Sequence, residues 1–364
     1  MRQRKRLCII FWDMGLGGIQ KRIRDIVIDL SNNYADWEIY ILLRKRSQDG
    51  FDYQIKKIDR VYVKYYDANS RFRIPLGFVF WLGWQYLKIQ PDTVLTFHCL
   101  LSSVLVIYRY IIFWRPTKLV LNEGAITSQA LRWDKLSSID FLIRFMYPLA
   151  NIVIVPTLAC KNDLVQNYSL SEKKISVVPN WTMFPLVKSL SFRYDIVYVG
   201  RFSPEKNPLF MVQLTKMLIP QYPRLKVVMI GHGSMQFALK DNLLKEQLQN
   251  YMHIIPFSGK ISTFIRRSRL LVVPSFNEGM PNVVLEAAMC GVPSVVSHFA
   301  GADEVVQHGK TGYVCETFDN MVYCIDTLLS NESLRKIMGQ NAQRYVSKNF
   351  TYKAQQCFIK TLLS

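Results

Sequence analysis

Two carboxylates, Glu278 and Glu286, stand eight residues apart in the segment PSFNEGMPNVVLEAAMCG, residues 274–291. Carboxylates accept hydrogen bonds from sugar hydroxyls, so the pair suits a hydroxyl-rich ligand. Between them Gly279 permits a sharp turn or a close backbone approach. Pro281 is expected as the first residue of a helix that continues through Cys290 and stops at Gly291. The free N–H groups around Gly279, Met280 and Pro281 (the proline itself donating none) and into the first turn would form an anion site. A ligand with both phosphate and hydroxyl groups fits both features. Glutamate is also a good helix former, and a solvated helix face would carry the same pair. What decides between them is whether the chain supplies cations for the phosphate.

It supplies them in GRFSPEKN, residues 200–207, directly after the apolar run Asp195–Val199. Arg201, behind Gly200 at the carboxyl end of that run, offers a planar fork; Lys206 offers a point charge. Asn207 and Pro208 are expected to cap and open the next helix. Gly17 and Gly18 follow the apolar run Leu7–Trp12, and Gly231 follows Leu225–Ile230. His98 ends the run Val94–Phe97, and Glu123 follows Lys118–Leu121. The Asp13–Gly18 turn lacks the GxGxxG spacing and the acidic residue about 20 positions on that a dinucleotide needs.

These residues need parallel strands to position them. Short continuous apolar runs, each leading into a turn and then a helix-period segment such as Ile19–Leu30, read as βα units of doubly wound α/β domains. Strands are expected at Trp37–Leu43, Val61–Tyr66, Ile152–Val155, Ile175–Val178, His253–Pro256, Leu270–Val273 and Pro293–Ser297. Helices are expected at Ile74–Ile89, Ser234–Tyr251, Ile261–Ser268 and along the tail from Asp319. In open α/β sheets ligands bind outside the carboxyl ends of strands, so Gly17, Gly18, His98 and Glu123 should converge. The chain of 364 residues exceeds a single core. The break at Val178–Phe192 separates a first domain, 1–185, from a second, 186–345, with 346–364 as a terminal helix packing back across the junction.

Composition narrows the function. Seven scattered cysteines with no CxxC pair argue for a reducing compartment and against a disulfide framework or a zinc site. The net charge is +19; the first 188 residues hold 27 basic and 15 acidic side chains, the remainder 19 and 12. Nucleic acid, an anionic membrane and phosphorylated small molecules could each explain it, but no nucleic-acid motif is present. Leu76–Ile89 and Leu100–Trp114 fall short of the roughly 20 apolar residues of a membrane span. The six-residue apolar run near the amino terminus is too short for a signal peptide. The expectation is a cytoplasmic protein, peripheral at the cytoplasmic face of a membrane.

GRFSPEKN, the Glu-x7-Glu element at Glu278–Glu286 and GADEVVQHGKTGYV at 301–314 together resemble the retaining family-4 glycosyltransferases. GGIQ at Gly17–Gln20 is similar to their glycine loop and VVPN at Val177–Asn180 to their interdomain segment. The resemblance implies the GT-B fold, two Rossmann-like domains facing across a cleft, the first binding acceptor and the second a nucleotide-sugar donor. It implies that Arg201 and Lys206 hold the diphosphate and stabilise the leaving nucleotide, that Glu278 bonds the donor sugar, and that Glu286 bonds the ribose. Gly17, Gly18, Gly200, Gly231, Gly279, Met280 and Pro281 complete the donor contacts. No DxD-type site is present, so metal independence is expected, with no cofactor beyond the nucleotide sugar, a UDP-sugar in preference to a GDP-sugar. Some members have histidine at the strand end where this chain has Asn122-Glu123-Gly124; Gln20, His98 and Glu123 are therefore candidates on the acceptor side.

The expected reaction moves a hexose or N-acetylhexosamine to a glycan or a polyprenyl- or lipid-linked acceptor in surface polysaccharide, O-antigen or capsule assembly. An anionic membrane surface is the expected partner of the aromatic and basic stretches Arg71–Lys88 and Tyr108–Arg115. A nucleotide-sugar epimerase or a non-catalytic sugar-nucleotide binder on the same fold is the alternative.

Overall fold

The computed structural model describes residues 4–47, 50–67, 75–111, 117–133, 140–184, 191–257 and 260–364, with the backbone alone at 109–111. The chain forms two compact units, Met1–Val178 with Gln355–Ser364, and Pro179–Ala354. Among the described residues no helix is long and apolar enough to cross a membrane.

The first unit runs β1 (Lys5–Phe11), α1 (Gly18–Asn33), β2 (Trp37–Leu43), α2 (Asp52–Ile55), β3 (Val61–Tyr65), α3 (Leu76–Ile89) and β4 (Thr93–Thr96). It continues with α4 (Cys99–Ile111), β5 (Lys118–Asn122), α5 (Thr127–Trp133), α6 (Asp140–Met146), β6 (Ile152–Val155), α7 (Leu158–Tyr168) and β7 (Ile175–Val177). Its sheet has the order β3-β2-β1-β4-β5-β6-β7, every pairing parallel. Leu7–Phe11 is buried throughout, as the continuous apolar run requires of a central strand.

The second unit runs β8 (Tyr194–Val199), α8 (Phe210–Leu218), β9 (Val227–Ile230), α9 (Gln236–Lys245), β10 (Met252–Ile255), α10 (Ile261–Arg266) and β11 (Ser268–Val273). Then come α11 (Asn282–Met289), β12 (Ser294–Ser297), α12 (Ala302–Val305), β13 (Gly312–Cys315), α13 (Phe318–Ser330) and α14 (Glu332–Asn349). Its parallel sheet has the order β10-β9-β8-β11-β12-β13. Strand order reverses between β1 and β4 in the first unit and between β8 and β11 in the second. At each reversal the flanking connections leave in opposite directions and open a crevice at the carboxyl edge.

Several local expectations need correction. Asn207 caps no helix; at φ 48° it closes a 3-10 turn, Pro204–Lys206, and α8 starts three residues later. Pro281 is the N-cap of α11, extended at ψ 117°, and Asn282 is the first helical residue. The helix expected to reach Tyr251 ends at Lys245, because Gln247 turns left-handed at φ 54°. Ser268 opens β11 instead of closing the helix before it. The junction falls after Val178, seven residues before the expected 185; of the expected linker, 185–190 lies outside the described residues, as do 71–74 and 112–115 of the two aromatic and basic stretches.

The tail does not form one terminal body. Residues 346–354 belong to the second unit, whereas 355–364, within α15 (Tyr352–Leu363), pack on the first. There Gln355 donates to Asp25 O at 2.9 Å, Gln356 to Asp29 Oδ2 at 3.1 Å, and the Arg22 guanidinium lies 4.6 Å from the Phe358 ring centre. Lys118 Nζ donates to the carbonyls of Thr361 (2.8 Å) and Leu362 (3.1 Å), a cation on the carbonyl end of a helix.

In the second unit α14 seats on the end of α11. Gly291 leaves that helix at φ 70°, and a Cβ built on Gly339 would lie 2.0 Å from Gly291 O. Gly339→Ala should destabilise the protein by about 1–3 kcal/mol, the cost of overpacking, read as a lowered thermal midpoint. An unchanged midpoint would contradict this seating.

Candidate active site

The reversal between β8 and β11 brings together the two segments singled out for chemistry. The strand exit of β8 runs against that of β9: a Cβ on Gly231 would lie 1.9 Å from Gly200 O, so the position accepts glycine alone. Phe202 N–H donates to His232 O at 2.9 Å. Buried Tyr198 then ties both ends of the 201–206 turn, its hydroxyl donating to Arg201 O (3.0 Å) and Lys206 O (3.3 Å). Phe276 N–H donates to Glu205 O at 2.9 Å, pinning the loop after β11 onto that turn.

Lys206 Nζ lies 2.6 Å from Glu278 Oε1, both side chains less than one-fifth exposed. The same oxygen accepts Ser275 Oγ at 3.0 Å, and Ser297 Oγ donates to Ser275 O at 2.6 Å. The Asn180 amide donates to Met280 O at 2.7 Å. Gly279, Met280 and Pro281 are buried and lead into α11. That helix has no side-chain cap and no acidic residue in its first turn, which leaves the positive end of its dipole available to an anion. Arg201 is the exposed member: its side chain is 71% accessible, with Nη2 at 3.2 Å from Glu205 Oε1, so its guanidinium can swing to a ligand at low cost. Glu286 lies about 6 Å along α11 from its start and is 9% exposed, which removes the reading of a solvated helix face.

In the first unit Gly17 is the N-cap of α1 and Gly18 its first residue. Asp13 orders the loop, accepting Gly15 N–H at 2.9 Å and Gln20 Nε2 at 3.3 Å. His98, at the exit of neighbouring β4, meets Trp12 edge to face with centroids 5.2 Å apart. Its Nδ1 accepts Leu100 N–H at 3.2 Å, which places the neutral ring's proton on Nε2. Glu123 differs from expectation. It is 8% exposed, and its Oε1 accepts the hydroxyl of buried Tyr147. Burial pushes its carboxyl up to about 7, with Tyr147 opposing and the nearby Asp163 charge reinforcing the shift.

Tyr198, Ser275, Asp13 and Tyr147 were not anticipated from the sequence. Asp13 had a readable signal, an Asx turn two residues before Gly15. Ser275 and Tyr198 act within three to eight residues of themselves, Ser275 on Glu278 and Tyr198 on Arg201 O and Lys206 O.

The comparisons with known proteins agree with this fold. Residues 16–182 match the model of glycosyltransferase family 4, and residues 188–345 that of glycosyl transferases group 1. The amylovoran biosynthesis glycosyltransferase AmsD of Erwinia amylovora is 30% identical over 62% of this chain and 71% of its own. The N-acetylgalactosamine-N,N'-diacetylbacillosaminyl-diphospho-undecaprenol 4-alpha-N-acetylgalactosaminyltransferase of Campylobacter jejuni is 25% identical over 99% of this chain and all of its own length. Several other curated relatives are matched over about half of their length. The crystal structure of Anabaena Alr3699/HepE with UDP and glucose superimposes with a TM-score of 0.80 at 18% identity, over 98% of this chain and 99% of that one.

The family matches over both units, together with the two parallel α/β sheets, make this a glycosyltransferase of the GT-B fold. The chain belongs to the family-4 glycosyltransferases.

Glu123 gives a pH signature separable from catalysis. A carboxyl raised from 4.5 to about 7 on folding contributes stability that is fully present below the unfolded value and declines as pH rises through 7. Glu123→Gln keeps an acceptor for Tyr147 and removes the titration. The variant should gain up to about 3 kcal/mol relative to the parent between pH 5 and 8. Parallel thermal midpoint profiles of the two proteins across that range would contradict the assignment.

Proposed function

We propose that this protein transfers a hexose or N-acetylhexosamine from a UDP-sugar to a glycan or polyprenyl-linked acceptor, with retention and without a metal, in the assembly of a surface polysaccharide. The observation that carries the reading is the Lys206–Glu278 pair, 2.6 Å apart at the strand-order reversal, beside the uncapped start of α11. The Campylobacter relative is named for an undecaprenol-diphosphate acceptor, and the Anabaena structure holds UDP and glucose.

Lys206 and the α11 N–H groups bind the diphosphate, and Arg201 closes on it from the exposed side. Glu278 exchanges part of its contact with Lys206 for a hydroxyl of the donor sugar, while Ser275 holds it in place. Glu286 accepts the ribose hydroxyls, and the backbone at Gly200, Gly231 and Gly279–Pro281 lets the nucleotide approach closely. The bond between C1 and the diphosphate oxygen breaks, leaving negative charge on the phosphate. The acceptor oxygen bonds C1 from the same face, and its proton passes to the departing phosphate oxygen. Cations already in place favour the charge as it develops over the ground state.

A lipid-linked acceptor calls for a surface that meets a membrane. On α3, Leu76, Phe80, Trp84 and Leu87 are exposed on one helix face. Buried Phe78 on the other side of α3 meets Trp12 and Tyr66, and Tyr108 Oη of α4 donates to Val79 O at 2.5 Å. Phe141 and Phe145 repeat the pattern on α6, which packs on the same α4. Lys88 on α3 and Arg144 on α6 are exposed, and Asp140 is engaged by Tyr168 Oη at 2.6 Å. Apolar crests with basic flanks suit the interface of an anionic bilayer, and this layer is proposed to hold the enzyme at the cytoplasmic face.

Lys206→Ala should lower kcat/KM for acceptor-dependent UDP release by about 10²–10³, the scale of a lost electrostatic contact. Near-parental transfer would overturn the donor-site assignment, and UDP release independent of acceptor would overturn transfer itself. In flotation with phosphatidylglycerol vesicles at low salt the parent should rise with the vesicles and Phe80→Ser/Trp84→Ser should remain at the bottom. Absence of parental association would sink the membrane reading.

A further inference from the structure

The amino-terminal edge of the second sheet, at the far end of its strands from Lys206 and Glu278, carries a second charged concavity. It has a volume of about 460 Å³ and is lined by Phe192, Arg193, Arg224, Lys226, Tyr251 and Arg269, together with Asp195. The residues lie at the starts of β8, β9, β10 and β11. Six residues of β8 separate this edge from the strand exit, a distance of about 20 Å.

Four cations face one carboxylate, and that carboxylate is occupied. Asp195 Oδ2 accepts Lys226 N–H at 2.8 Å, and Oδ1 lies 3.4 Å from Arg269 Nη1. Among the described residues no carboxylate lies within ion-pair distance of Arg193, Arg224 or the Lys226 ammonium. Clustering three uncompensated cations in a concavity raises the local positive potential, which the walls focus. Two of the guanidiniums are also ordered in advance. Arg193 lies 5.7 Å from the Tyr194 ring centre and Arg269 6.0 Å from that of Phe192. Behind Phe192 stands a further guanidinium, buried Arg335, also at 6.0 Å, donating to Leu328 O at 2.6 Å. A guanidinium held beside a ring loses less freedom when it takes a planar, doubly accepting anion.

The aromatic side chains bear on the class of ligand. Phe192 is 42% exposed beside the cations, whereas Tyr251 packs against the core of the unit. A volume near 460 Å³ holds a ligand of a few rings, and a concave wall does not match a flat bilayer. From the juxtaposition of Arg193, Arg224, Lys226 and Arg269 with the exposed Phe192 at this edge, we infer that the second unit binds an acidic oligosaccharide, its carboxylates on the cations and an apolar ring edge against Phe192. The proposal draws its ligand class from the glycan-assembly reading, but its site and its readout are separate from the donor site.

The probe is fluorescein-labelled tetragalacturonate, followed by anisotropy, with maltotetraose, inorganic pyrophosphate and phosphatidylglycerol vesicles as comparisons. The full chain should bind tetragalacturonate, more weakly as salt rises, and should not bind maltotetraose. Arg224→Ser/Lys226→Ser changes two exposed side chains and should weaken binding by about tenfold or more, while the thermal shift produced by UDP stays at its parental value. That last readout separates this site from the donor site: a chain that failed to transfer sugar could still pass this test. Absence of tetragalacturonate binding, equal binding by maltotetraose, or affinity unaffected by the double change would overturn the proposal. Pyrophosphate binding more tightly through the same two residues, or vesicle binding through them without tetragalacturonate, would reassign the site to phosphate or lipid and overturn it equally.

Discussion

The structure of the second unit depends on holding an ammonium group nearly out of water at the edge of a parallel sheet. Lys206 sits where strand order reverses, and removing it from solvent without a partner would cost several kcal/mol. Glu278 offsets that cost at 2.6 Å. The remaining contacts keep the pair in register: Tyr198 across both ends of the turn, Ser275 on the carboxylate, and Asn180 on the backbone that leads into α11. A diphosphate can take over the carboxylate's role toward Lys206, freeing Glu278 for sugar hydroxyls. One ion pair thereby serves both the unliganded fold and the proposed ligand, and it explains how the two charges can stand next to each other without a solvated surface around them.

Much of this was readable in the sequence, because buried parallel strands need continuous apolar runs. The boundaries of β2 and β6 coincide with their apolar runs, Trp37–Leu43 and Ile152–Val155. The placement of Arg201, Lys206 and Glu278 at strand exits was legible because each follows such a run by a few residues, and a strand exit dictates where a loop residue goes. The errors lie where a single φ or a distant partner decides. Asn207 takes a left-handed conformation that closes a 3-10 turn and delays α8 to Phe210, and Gln247 one that ends α9 earlier than periodicity suggested. Glu123 follows a strand as Glu278 does, yet it faces Tyr147 and Asp163 inside its unit, and nothing local to residues 118–124 distinguishes the two cases.

The net charge of +19 also divides into separate physical roles. Some cations are structural, as where Lys118 closes the end of α15 and Arg22 lies over Phe358. Others flank the apolar crests of α3 and α6, where Phe80, Trp84 and Phe145 are largely exposed. A third group gathers at the amino-terminal edge of the second sheet around the occupied Asp195. Each group pairs positive charge with a different companion, a helix end, an apolar crest or an aromatic wall, so no single polyanion need account for the whole charge.

The central claim is that the carboxyl edge of the second sheet recognises a nucleoside diphosphate through Lys206. Isothermal titration of UDP and uridine against the parent and Lys206→Met tests it most directly, because the two ligands differ only in the diphosphate. The account predicts that UDP binds roughly 100-fold more tightly than uridine to the parent and that the variant loses most of this ratio while uridine affinity is unchanged. Equal affinities for UDP and uridine, or a ratio preserved in Lys206→Met, would contradict it.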